Sequence, residues 1–298
     1  PKKGNYLGSL LLGLIAVPLT LLLICLASIT DLWLYLVLAL VIDVALVLVS
    51  IWLARDKNYD SLIFLCLATV VALLIDTLSG GHLQRFSVLS YDPMGGARFY
   101  GIGNEYMGVL MGATIIGVSL LVQRLQKRPA QYFVAGTLFL SVLVVLGAPW
   151  WGSNFGGFAA TLIAFGYTFL RLFGIRVRPR NILIGLSVVG LLCGGVFVLD
   201  YMRPPEMRSH FGQFAFSVQT SGLSAIKDMV IRKLAMNYKL IRYTIWTRVL
   251  LSSLLALGIL FYRPVGIFRR LLTKNPAIAA GLAGGVLGAF TALIFNDS

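Results

Sequence analysis

Arg98, Asn104 and Glu105 stand close together in the stretch GARFYGIGNEY, residues 96–106, where a long apolar run begins. A guanidinium holds a phosphate or carboxylate through two parallel hydrogen bonds. Free N–H groups at a helix start favour an anion as well. A carboxylate this near hydrocarbon is costly unless it is paired or used. Glu105 therefore has two available jobs, to orient Arg98 or to act as a general base or proton carrier. A plainer role is open too. Asn104 suits the N-cap of the helix, and Glu105 suits its first turn, where the helix dipole favours a carboxylate paired with Arg98.

Other stretches carry groups of the same kind. RSHFG, residues 208–212, sets Arg208 and His210 two positions apart, so that one loop presents both to one anionic group. A histidine there can protonate a leaving oxygen near neutral pH; contact with lipid headgroups is the simpler alternative. Lys233 and Asn237, one helical turn apart, are placed to extend such a site. APWWGSNFGG, residues 148–157, offers Trp150 and Trp151, either as an interfacial aromatic belt or as a surface that stacks on a sugar or flanks a lipid entrance. Asn154 is expected to cap the helix that follows. In FNDS at the end, Asn296 and Asp297 either close the site or merely end a helix. Asp43 differs, lying mid-span in LALVIDVALVL, where a lone aspartate is either paired within the bundle or part of a proton path.

The elements that must position these groups are apolar. Of 298 residues, 58% are hydrophobic and only 12% charged, and the mean hydropathy is +0.88. A soluble domain carries about 25% charged residues, so the composition dictates an all-α, polytopic transmembrane helix bundle. The formal charge of +14 does not point to nucleic acid. Its basic residues lie mostly in short loops between apolar spans, where membrane orientation and the lipid bilayer account for them. Cys25, Cys66 and Cys193 each lie inside an apolar run and read as buried thiols.

A span needs about 20 apolar residues. Nine are expected, near 6–29, 32–54, 61–78, 104–123, 132–148, 155–173, 182–199, 243–262 and 277–295, in a single membrane domain. The first is long enough to stay as a span rather than be cleaved as a leader. Alternating sides puts 15 of the 25 basic residues on one face, from Lys2 and Lys3 through Arg124, Lys127 and Arg128 to Lys274. The positive-inside rule makes that face cytoplasmic and the N-terminus with it. The other face holds the longer segments 79–103 and 200–242, with most of the mixed polar groups, including Asp76, His82, Arg85 and both histidines of the chain. The second of these segments is itself basic. Its Leu223, Ile226, Val230, Leu234, Tyr238, Ile241 and Ile245 fall at helical spacing, opposite or beside Lys227, Lys233, Lys239 and Arg242. That pattern is one amphipathic helix, either lying in the headgroup layer or packed as an elbow on the bundle. Gly281, Gly284, Gly285 and Gly288 in the last span predict close helix packing.

No phosphate-binding loop, dinucleotide turn, nucleophile elbow or HExxH occurs, and the histidines and carboxylates lack diagnostic ligand spacing, so neither a cofactor nor a metal is expected. The motifs GARFYGIGNEYMGVLMG, APWWGSNFGGFAATLIAFG, RSHFG with RKLAMN, and the terminal FND occur in that order. From about Tyr91 to the end they resemble a family of bacterial polytopic membrane proteins with no established activity. Its longer members join such a membrane half to an alkaline-phosphatase-like domain. The resemblance implies a bacterial envelope setting, phosphate-bearing substrates and, as a partner, an alkaline-phosphatase-like domain or subunit.

Together these readings lead to one expectation with two alternatives. The expectation is an inner-membrane protein that holds an anionic, phosphate-bearing lipid or lipid-linked glycan at the outer leaflet, for group transfer or hydrolysis. In it Arg98, Asn104, Arg208, Lys233, Trp150, Trp151, Asn154 and Asp297 bind, and Glu105 and His210 are the acid–base pair. The first alternative is a proton-coupled transporter or flippase that uses Asp43 and Glu105. The second is an anchor for a separate outer domain.

Overall fold

The computed structural model describes residues 6–54, 59–90, 101–176, 178–204, 223–243 and 245–295. Among them every element is helical. In chain order the helices are α1 (Tyr6–Leu23, extended by a 3-10 turn Ile24–Ala27), α2 (Leu32–Ala54), α3 (Asp60–Leu78), α4 (His82–Phe86), α5 (Asn104–Arg124) and α6 (Arg128–Gly147). They continue with α7 (Phe155–Leu172), α8 (Pro179–Tyr201), α9 (Leu223–Tyr243), α10 (Ile245–Tyr262), α11 (Gly266–Lys274) and α12 (Pro276–Phe295).

Eight helices are long and apolar enough to cross a membrane: α1, α2, α3, α5, α6, α7, α8 and α12. The chain is built as a multi-pass membrane protein. The apolar part of α10, Thr247–Tyr262, is shorter. Arg203 Nη1 donates to the carbonyl of Pro149 at 3.0 Å, so α8 ends beside the α6–α7 hairpin tip. Asn275 Nδ2 donates to the Tyr59 hydroxyl at 3.3 Å, so α12 starts at the opposite end, beside the Asp60–Arg124 ion pair at 2.7 Å. Residues 203 and 275 thus lie at opposite ends of the bundle, and α10 is the apolar helix described between them. Its 18 residues rise about 27 Å. Nine spans are expected from the sequence; eight described helices meet the length and apolarity of a span, and α10 is a shorter apolar helix.

The bundle thus has a basic end and a tip end. Arg124, Arg128, Arg171, Arg176, Arg263 and Lys274 mark the first; Gly101, Trp150 and Arg203 mark the second. The core runs along α5, where Tyr106, Leu110, Ile115 and Val118 meet Leu73 of α3, Phe139 and Leu146 of α6 and Phe165 of α7. Around it, large apolar side chains such as Leu40, Val44 and Trp52 of α2 and Leu183 and Leu191 of α8 are exposed. In water such a surface would be an aggregation liability; at membrane depth it faces acyl chains.

Helix α12 packs most closely on α7 and α5. A Cβ placed on Gly281 would stand 2.9 Å from Ser119 Oγ, and one on Gly288 would stand 2.8 Å from Ala164 Cβ and from Met111 Sδ. The tightest position is Gly284, where a Cβ would stand 1.8 Å from Thr168 Oγ1 and 3.1 Å from the Ala164 carbonyl. Gly285 is the exception to the expected stripe: nothing lies within 4 Å of its added Cβ, because it points away from both neighbours. Thr168 could escape a new methyl only by giving up its 2.8 Å bond to the Ala164 carbonyl. Gly284→Ala should therefore destabilise the bundle by about 1–3 kcal/mol, read as a lowered Tm in detergent, while Gly285→Ala leaves it unchanged or slightly raised, since alanine favours a helix. Equal stability of the two variants would remove the glycine face as a packing surface.

Candidate functional site

The tip end is assembled by two short polar loops. After α6 the chain cannot continue as a helix through Pro149, Gly152 and Ser153, and it folds back onto the last carbonyls of α6. Gly152 N donates to Val145 O at 2.8 Å, Ser153 N to Ala148 O at 3.1 Å and Asn154 N to Leu146 O at 3.2 Å. Helix ends leave their last four carbonyls without helical partners, and this tip satisfies three of them at α6 and its C-cap.

The second loop docks on the first. Ile102 N donates to Gly152 O at 2.8 Å. Gly101 makes the approach possible, with φ at +72° and a would-be Cβ 2.3 Å from that same carbonyl oxygen. Asn154 then locks both loops from inside, since it is only 3% exposed. Its Oδ1 accepts from Gly157 N at 2.8 Å, which caps α7 as expected. Its Nδ2 donates to Ile102 O at 3.1 Å and to Asn104 Oδ1 at 3.2 Å.

Asn104 does not cap α5. The N-cap is Gly103, in extended conformation and without a side-chain capping bond. Asn104 lies one position inside the helix because the extended turn ends at Gly103, and its side chain meets Asn154 instead. Glu105, in the first turn of α5, is exposed. Its Oε2 and the Ser90 hydroxyl border the same face of Gly103. Ser90 Oγ is buried and has no hydrogen-bond partner among the described residues.

One residue further on, Tyr106 is fully buried. The Ser87 and Tyr106 hydroxyls share a 2.6 Å hydrogen bond, with the α1 carbonyls of Leu21, 3.0 Å from Ser87 Oγ, and Pro18, 3.5 Å from the phenol, as further acceptors. This buried pair ties the start of α5 to α1. Asp76, which stood among the polar groups of this face, is buried and structural. Its carboxylate accepts from Leu83 N at 2.8 Å and Gln84 N at 3.0 Å, which caps α4. His82 and Arg85 on α4 are exposed.

Trp150 and Trp151 are 60% and 37% exposed at the tip, and Arg203 binds the adjoining Pro149 carbonyl while lying 3.5 Å from the buried Asp200 carboxylate. The sequence reading did not single out this strut, although an Asp–Arg pair at i, i+3 spacing on a helix end was there to be seen. Asp43 sits apart from the platform. Its Oδ1 accepts from Thr20 Oγ1 at 3.1 Å and its Oδ2 packs against Gly13, both within the α1–α2 pair. Arg98, Arg208, His210, Asn296 and Asp297 lie outside the described residues. Lys233 and Asn237 fall on α9, their side chains likewise outside them. That helix carries Val230, Leu234, Tyr238 and Ile241 exposed, with its main packing on α10.

What the geometry builds is a rigid rim that holds an exposed carboxylate and two exposed indoles at one end of a lipid-facing bundle. No family model, curated protein or solved structure matches the chain.

Proposed function

We propose that the chain binds an anionic, phosphate-bearing lipid or lipid-linked glycan at the tip end, and that this end faces the outer leaflet of a bacterial cytoplasmic membrane. The observation that carries the reading is the asparagine-locked junction of the two loops. It fixes Gly101 and Gly152 against each other and leaves Glu105, Trp150 and Trp151 at the surface. In this reading cations reach that rim from the flanking chain. Arg98 stands three residues before Gly101, a reach of about 10 Å, and Arg208 stands five residues after the anchored Arg203, a reach of about 18 Å.

An acyl chain has a place to lie. A groove of about 520 Å³ runs between α7, α10 and α12, lined by Tyr167, Leu251, Leu254, Leu255, Val286 and Phe290. The arginine-rich loops at the other end support the orientation through the positive-inside rule. In this reading Arg98, Arg208 and Lys233 hold the phosphate. Glu105 takes a proton from the attacking hydroxyl or water, and His210 returns one to the leaving oxygen.

The test is lipid binding by the full chain in vesicles that contain either phosphatidic acid or only zwitterionic lipid. Loss of a charge-assisted contact weakens binding by about ten- to a hundredfold, and that is the expected result for Arg98→Gln. Glu105→Gln should leave binding intact and lower turnover by about a hundredfold or more. A folded Arg98→Gln protein that binds phosphatidic acid as well as the parent does would defeat the proposal.

A further inference from the structure

We propose a second lipid site at the basic end, on the α3–α5 face, that takes one zwitterionic phospholipid with a primary ammonium in its headgroup. Helix α3 begins at Asp60 and α5 ends at Arg124, so the antiparallel packing of the two helices sets these residues side by side. Arg124 Nη2 lies 2.7 Å from Asp60 Oδ1, and the two side chains stay 41% and 27% exposed. An exposed ion pair adds little to stability. What this one does is place a cation and an anion together at the mouth of an apolar groove.

The groove holds about 640 Å³ and is walled by Leu53 of α2, Phe64, Leu67, Ala68 and Val71 of α3 and Leu121 of α5, with Asp60 and Arg124 as its charged lining residues. On α3, Asp60, Phe64, Leu67 and Val71 follow one another at helical spacing, so the groove runs down a single stripe. Val71 is eleven residues past Asp60, a rise of about 16 Å. One leaflet of hydrocarbon is about 15 Å deep, half of a core of about 30 Å. The groove therefore has the length of an acyl chain in one leaflet, and its charged end stands at headgroup level. Tyr59 marks the same level. It directly precedes Asp60, is exposed, and its hydroxyl accepts from Asn275 Nδ2 where α12 starts.

The two signs at the mouth select the headgroup. A carboxylate accepts at both oxygens; the ion pair uses Oδ1 of Asp60, and Oδ2 can take an ammonium proton. A guanidinium presents five N–H donors in a fixed fork that matches phosphate oxygens. A phosphodiester joined to a primary ammonium by a short linker answers both groups at once. A quaternary ammonium has no N–H to give Asp60. An anionic headgroup without a cation sets its charge against that carboxylate. The site lies at the other end of the bundle from the rim and does not rest on the reading given for it.

The full chain is purified in a neutral detergent and its Tm is followed on titration with phosphatidylethanolamine, phosphatidylcholine, phosphatidylglycerol or soluble phosphoethanolamine. The parent should bind phosphatidylethanolamine about tenfold more tightly than phosphatidylcholine, the difference of one charge-assisted hydrogen bond. Asp60→Asn should abolish that preference. Arg124→Gln should weaken both lipids about tenfold, because both carry the phosphate. Loss of a merely structural ion pair would lower the lipid-free Tm and leave the preference untouched, so the preference is the deciding readout. Ala68→Phe keeps both charges and fills the groove, and it should lose most of the response to both lipids. A parent that shows no preference for phosphatidylethanolamine, or that binds phosphatidylglycerol as tightly, overturns the charge match. An Asp60→Asn variant that keeps the preference overturns the site. The groove is overturned as an acyl-chain seat if Ala68→Phe binds like the parent, or if phosphoethanolamine stabilises as much as the whole lipid.

Discussion

Gly101→Val should part the two loops of the tip end while the bundle beneath stays folded. Two costs add at this position. A branched side chain would be held at φ +72°, in the left-handed region, which costs about 1–2 kcal/mol for an L-residue. Its Cβ would also start 2.3 Å from the Gly152 carbonyl oxygen and 3.1 Å from the carbonyl carbon. Those are backbone atoms held by α6, so they cannot rotate aside as a side chain could, and overpacking adds about 1–3 kcal/mol more. The expected total, about 2–5 kcal/mol, exceeds what the single 2.8 Å bond from Ile102 N to Gly152 O returns, since a hydrogen bond contributes about 1 kcal/mol net. Amide exchange should speed up at residues 101–104 and 148–154 and stay slow in the core of α5. Gly108→Ala is the matched control, because nothing lies within 4 Å of its added Cβ and alanine favours a helix. If Gly101→Val keeps the exchange protection of the parent, the two loops are not coupled through this contact.

Much of the frame was legible because a membrane imposes it. Spans of about 20 apolar residues separated by charged or turn-forming residues leave few ways to place helix ends, and the expected 155–173 and 277–295 differ from α7 and α12 by one residue at one end. The hairpin tip was legible for the same reason: proline, two glycines and a serine cannot continue a span. The details of the rim were not. Asn104 and Gly103 are both acceptable N-caps by residue type, and only the extended backbone at Gly103 decides between them. Asp76 could be read only as one more polar group of its face, because its partners are backbone amides seven and eight residues on, and amides leave no mark in a sequence. Gly284 and Gly285 are one residue apart on a 3.6-residue repeat, so periodicity could not tell the buried one from the open one. The Ser87–Tyr106 contact joins residues in different elements and had no local signal at all.

The largest single-residue effect on the rim should come from Asn154, because one buried side chain there does two separable things. As an acceptor it caps α7 through Gly157 N. As a donor it holds Ile102 O and Asn104 Oδ1. Asn154→Ala removes both and leaves a buried amide and a buried carbonyl without their partners, at about 1–3 kcal/mol each, so about 2–6 kcal/mol in all. Asn154→Asp separates the roles. A carboxylate is a good cap at a helix N-terminus, so the α7 bond survives. It has no N–H to give, however, and in place of an amide it sets an anion against the two acceptor oxygens of Ile102 and Asn104. If Asn154 matters only as a cap, the aspartate variant should be as stable as the parent. If it is the bolt between the loops, the aspartate variant should lose lipid binding and loop protection nearly as fully as the alanine variant, while α7 itself stays protected. Lowering the pH should then restore part of the aspartate variant's function, since a protonated carboxyl regains one donor and loses its charge. The sign of that pH response is opposite to what a capping role predicts, because protonation weakens a cap. An aspartate variant that is stable at neutral pH and weakens on acidification would show that the rim is held together by something other than this side chain.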